Sequence, residues 1–137
     1  MKSIFLTLLF ACISVAAAQV PEKPESASSP ADVLAGTWRG PWESRSRNSG
    51  EMEIEARTVD GTNVQGRMKA SYFNPTNCSS AWETLSGVRK GDKFFVRYDL
   101  GGACGKVDVV FSIQSNVMAG TWANEYGRNG TFRLIKQ

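Results

Sequence analysis

Histidine is absent from all 137 residues. That absence removes the Ser-His and Cys-His couples and the commonest general base near neutral pH. It also denies zinc its usual nitrogen ligand, so no metal is expected. Basic and acidic residues number 16 and 13, and no run of Lys or Arg stands out, so nucleic acid is not an expected partner. No apolar stretch reaches the ~20 residues of a membrane-spanning helix. Beyond the first eighteen residues no window repeats its apolar positions every 3.6 residues. No glycine-rich loop precedes a helix, which leaves no phosphate cradle. The acidic residues Glu51, Glu53, Glu55, Glu83, Asp99 and Asp108 fall on the polar side of their segments and read as water-facing. No catalytic constellation emerges, so neither an enzyme nor a cofactor is expected.

Cysteine is scarce, with three copies, and their positions matter. Lys2, the apolar stretch 4–15 and the small residues Ala16-Ala17-Ala18 form a signal-peptide pattern over residues 1–18, which predicts a secreted or periplasmic protein. Cys12 lies inside that leader. Leu9-Phe10-Ala11-Cys12 also resembles a lipobox, and a lipid anchor on Cys12 is the alternative fate. Cleavage leaves Cys78 and Cys104, and an even count in an oxidising compartment predicts one disulfide. Residues 19–32, "QVPEKPESASSPAD", carry three prolines and three serines and read as a linker. The remainder, 33–137, is the size of one domain with one core.

Within that domain apolar and polar residues alternate. Met52, Ile54 and Ala56 alternate with Glu51, Glu53 and Glu55, and Val107, Val109, Phe111 and Ile113 with Asp108 and Ser112. Such period-two runs are strands with one buried face. Turn residues separate eight of them, expected at 36–44, 51–59, 63–73, 81–89, 93–99, 106–113, 117–124 and 130–136. The fold class is therefore all-β, an eight-stranded antiparallel up-and-down barrel with one disulfide. A two-sheet β-sandwich has the same alternation and is the alternative. The tryptophans Trp38, Trp42, Trp82 and Trp122 fall on the apolar parity, with Tyr72, Tyr98, Phe94, Phe111 and Phe132.

In a meander the connections alternate between two ends. Tight turns near Gly61, Gly91 and Asn116 share one end; the longer loops 44–50, 74–80, 100–105 and 125–129 share the other. Cys78 and Cys104 then meet on the long-loop rim. So do Arg45, Arg47, Lys106, Tyr126 and Arg128. The tetrapeptide Ala-Gly-Thr-Trp occurs twice, at 35–38 and 119–122. Strand positions place Trp38 toward the floor and Trp122 nearer the mouth.

Gly36-x-Trp38 opening the first strand of an exported eight-strand meander resembles the avidins and lipocalins, the calycin-type barrels. That resemblance implies a ligand held in the lumen, biotin in the avidin case. The stretch after the tryptophan, Arg39-Gly40-Pro41-Trp42-Glu43-Ser44, lacks the Asn, Ser and Tyr set that avidins direct at biotin, so the barrel carries over and biotin does not. The expected function is an exported, non-enzymatic protein holding a small apolar or aromatic ligand at the barrel mouth. Its candidate site is Trp42, Arg45, Arg47, Trp122, Tyr126 and Arg128. The alternative is a secreted or periplasmic protein–protein module, such as an inhibitor or envelope accessory protein, making contacts through its rim loops.

Overall fold

The computed structural model describes residues 32–137. The expected signal peptide, the lipid anchor on Cys12 and the linker up to residue 31 lie outside the described residues. Eight strands follow in order: β1 (Gly36–Ser44), β2 (Ser49–Val59), β3 (Asn63–Ala70), β4 (Glu83–Lys90), β5 (Lys93–Asp99), β6 (Lys106–Gln114), β7 (Val117–Asn124) and β8 (Asn129–Lys136). Each pairs antiparallel with its neighbour in sequence, and β1 also pairs with β8. Both edges of the sheet are thereby consumed. This is a closed barrel rather than a sandwich, and closure leaves no edge strand open to another chain. The β1–β8 seam skips Gly40 and Pro41, and Pro41 has no N–H to offer.

Alternation sets what lies inside. Met52, Ile54 and Ala56 of β2 are buried, and Phe94, Val96 and Tyr98 do the same on β5. Outward positions carry ion pairs across strands: Arg39–Glu53 at 2.8 Å, Lys69–Glu53 at 3.3 Å, Arg67–Glu55 at 2.7 Å and Arg97–Asp108 at 2.6 Å. Exposed pairs of this kind add little to stability, whereas each fully buried large side chain contributes ~1.5–3 kcal/mol, so the lumen holds the fold together.

The tight-turn end is solid. Trp38, Ile54, Met68, Met118 and Leu134 have no exposed surface, and Phe94 stacks on Phe111 at 5.0 Å. The segment before β1 closes this floor. Leu34 is fully buried, and its carbonyl accepts a hydrogen bond from Trp38 Nε1 at 2.9 Å. Asp32 fastens the segment to the end of β2, where its carboxylate accepts from Thr58 N at 2.6 Å and Thr58 Oγ1 at 2.9 Å. Burial alone would raise the Asp32 pKa, but the Thr58 and Leu34 donors together hold it below the usual carboxylate value.

Two residues of the 81–89 segment fall on the opposite side from their sequence reading. Glu83 pairs in register with Met68, a buried lumen residue, so Glu83 faces inward rather than toward water. Ser79 Oγ donates to it at 2.6 Å. Trp82, expected inside, lies on the outer surface, with Arg67 and Lys69 at 4.3 and 4.7 Å from its ring centre. Leu85 decides this: once it enters the core, every residue of that strand has its side fixed.

Candidate ligand-binding site

At the long-loop end the lumen is open. A cavity of about 380 Å³ begins above the aromatic floor and reaches the mouth. Its walls are Trp42, Trp122, Tyr72 and Tyr98, with Met52, Ala70, Leu100 and Val107 between them, and asparagines on the rim.

Two tryptophans on strands either side of β8 are held in the same way. Trp42 of β1 faces Gly50 of β2 in register, and its indole Nε1 donates to the carbonyl of Ser71, beyond β3, at 3.1 Å. Trp122 of β7 faces Gly130 of β8, and its Nε1 donates to the carbonyl of Glu43, on β1, at 3.2 Å. Each ring thus crosses a neighbouring strand at a glycine to reach the strand beyond. A Cβ on Gly50 would strike the Ser71 carbonyl oxygen and lie 2.8 Å from Trp42 Nε1; one on Gly130 would strike the Glu43 carbonyl oxygen. The two rings meet edge-on at 5.7 Å, and Tyr72 meets Trp42 edge-on at 5.6 Å. Both indole N–H groups are used internally, so the rings offer the cavity apolar walls of fixed orientation.

The tyrosines differ. Tyr72 OH donates to the Ser79 carbonyl at 3.0 Å. Burial, reinforced by the Glu83 charge, pushes its pKa up to about 12. Tyr98 is only 4% exposed, and its pKa is also raised, by burial first and then by Tyr72. Both hydroxyls stay protonated at neutral pH.

The rim is tied down. Cys78 and Cys104 are disulfide-bonded, with Cα atoms 5.4 Å apart, joining the β3–β4 loop to the β5–β6 loop. Ser79 N donates to the Leu100 carbonyl at 2.7 Å and Ala103 N to Asn77 Oδ1 at 3.0 Å across the same junction. Asn124 Oδ1 accepts from the N–H groups of Tyr126 and Arg128, at 3.1 and 2.9 Å, which fixes the β7–β8 loop.

Of the residues singled out from sequence, Trp42, Trp122 and Arg128 line the cavity. Arg45 and Arg47 stand exposed on the β1–β2 loop, and Tyr126 is 62% exposed beside Gly105. These three are on the rim but not in the cavity wall. Sequence reasoning missed Asn48, Asn74, Asn77 and Asn124 as lining residues. It also placed Gly50 in the 44–50 loop, whereas Gly50 lies within β2; Gly50 and Gly130 each make room for a tryptophan. A Gly–Trp pair at facing positions would have signalled this, but only after the register was known.

No family model and no curated protein matches the chain. Solved structures that share its fold include three designed barrels. The redesigned barrel mFAP1, bound to DFHBI, superposes with a TM-score of 0.61 at 12% identity, covering 76% of this chain and 95% of that one. The redesigned barrel b11L5F_LGL gives 0.60 at 13%, covering 77% and 92%. A de novo designed fluorescence-activating barrel gives 0.56 at 14%, covering 75% and 93%. The likeness is to a small closed β-barrel as such, without a specific tie to avidins or lipocalins.

Proposed function

We propose that this chain is an exported, non-enzymatic binding protein that holds one small aromatic ligand in the mouth of its barrel. The observation that carries this reading is the division of the lumen into a solid floor and an open upper chamber. A volume of about 380 Å³ lies within the range of small-ligand sites, which are mostly apolar with a few placed polar groups. The wall has that composition. The rings of Trp42 and Trp122 are anchored before a ligand arrives, which lowers the entropy lost on binding. That mFAP1 is a barrel of this shape with DFHBI bound is consistent with the reading. Export is supported by the disulfide and the leader-like first eighteen residues.

The test is titration of the disulfide-intact chain with N-phenyl-1-naphthylamine, a neutral aromatic probe that brightens in apolar surroundings. Saturable one-to-one enhancement with quenching of tryptophan emission is expected. Ala70→Phe, which fills the chamber, should abolish both. Absence of saturable binding by the unaltered chain would overturn the reading and favour a rim-mediated protein contact.

A further inference from the structure

The cavity wall contains a largely buried hydroxyl that the fold does not use. Tyr98 is 4% exposed and lines the chamber. Its neighbour Tyr72 spends its hydroxyl on the Ser79 carbonyl, but among the described residues Tyr98 OH makes no protein hydrogen bond. No fully occluded side-chain nitrogen or oxygen among those residues lacks a partner. The surface that Tyr98 retains therefore includes its hydroxyl, and that surface opens on the chamber. That hydroxyl makes no bond within the protein, so a ligand atom in the chamber can pair with it.

Charge around the chamber is one-sided. The lining includes Arg128 and no carboxylate. Arg128 takes part in none of the ion pairs among the described residues, although its backbone is pinned by Asn124. Glu83 faces the lumen, but it sits behind Tyr72 and Ser79 and is no part of the wall. A negative group would be repelled from the Glu83 side and drawn to Arg128.

Resting on the ligand-binding reading above, we propose that the chamber selects a planar aromatic monoanion with polar groups at its two ends. The ring system lies against Trp42, Trp122 and Tyr72. A neutral hydroxyl or carbonyl at the inner end pairs with Tyr98 OH. A carboxylate or similar anionic group at the outer end pairs with Arg128. The raised pKa of Tyr98 keeps its hydroxyl able to donate as well as accept.

The experiment compares four probes by tryptophan quenching: 2-naphthol, 2-naphthoate, 6-hydroxy-2-naphthoate and 4′-hydroxybiphenyl-4-carboxylate. The last two place hydroxyl and carboxylate at opposite ends at two different separations. At least one of them should bind about tenfold more tightly than either singly substituted naphthalene, as expected for one added hydrogen bond, neutral to Tyr98 relative to 2-naphthoate and charge-assisted to Arg128 relative to 2-naphthol. Arg128→Gln should erase the carboxylate preference, weakening the carboxylate probes far more than 2-naphthol. Tyr98→Phe should erase the hydroxyl preference, weakening the hydroxyl probes far more than 2-naphthoate. Binding of 2-naphthol with exclusion of every carboxylate would overturn this proposal while sparing the ligand-binding reading. So would preferences that survive both substitutions. Failure of all four probes together with N-phenyl-1-naphthylamine would remove both.

Discussion

Four tryptophans occupy three kinds of environment, and their substitution should separate accordingly. Trp38 is fully buried and bonded to the floor segment, so Trp38→Ala should cost about 3–5 kcal/mol in urea denaturation. Trp82 lies outside beneath two cations, and Trp82→Ala should cost about 1 kcal/mol. Trp42 and Trp122 depend on glycines. Gly130→Ala should displace the Trp122 ring from the Glu43 carbonyl, seen as a changed near-ultraviolet dichroism spectrum and at least a severalfold loss of probe affinity. An unchanged spectrum and affinity would show that the ring does not need the gap. The tyrosines give a pH signature. Unfolded tyrosine ionises near pH 10, whereas folded Tyr72 holds its proton to about 12. Between those values the unfolded chain has released a proton that the folded chain keeps, so stability should fall as pH rises through that window and be unaffected below it. Denaturation midpoints against pH check this; Tyr72→Phe should lessen the fall without removing it, because the Tyr98 pKa is raised too.

At the scale of elements, strand ends follow hydrogen bonding rather than composition. The sequence places the third strand at 63–73, but β3 ends at Ala70, two residues beyond its last pairing with β4 at Met68–Glu83. The chain still pairs with β2 on its other side, through Ser71 N to the Glu51 carbonyl and Phe73 N to the Ser49 carbonyl. The loop so released carries Cys78. Its disulfide to Cys104 closes 26 residues of sequence and should contribute about 3 kcal/mol. The double substitution Cys78→Ser, Cys104→Ser should therefore lower stability by about that amount and speed proteolysis within the β3–β4 loop. The backbone bonds across the same junction should preserve the barrel, so far-ultraviolet dichroism should change little. Loss of the strand signal would mean that the bridge holds the fold and not only the rim.

At the scale of the whole molecule, one lumen does two things along its length. The lower half is packed solid; the upper half is left open by residues that are small or pinned to the wall, such as Ala70, Trp42 and Trp122. Strand count, antiparallel order and the meeting of Cys78 with Cys104 were legible in the sequence. They follow from period-two alternation and from loops that alternate between ends, both local properties of the chain. The side taken by Trp82 and Glu83 was not legible, because a strand's facing is fixed by one residue locking into the core, here Leu85. Nor was the pairing of each mouth tryptophan with a glycine across the sheet, which exists only once the register is set. The amino-acid sequence by itself determined eight antiparallel strands with Cys78 and Cys104 on one rim, since alternation and turn spacing are written residue by residue; the choice of a closed barrel over a sandwich came only with the β1–β8 pairing. Only the tertiary structure decided where the lumen stops being filled and which hydroxyl is left facing it, since both depend on side chains from strands far apart in the chain meeting in three dimensions.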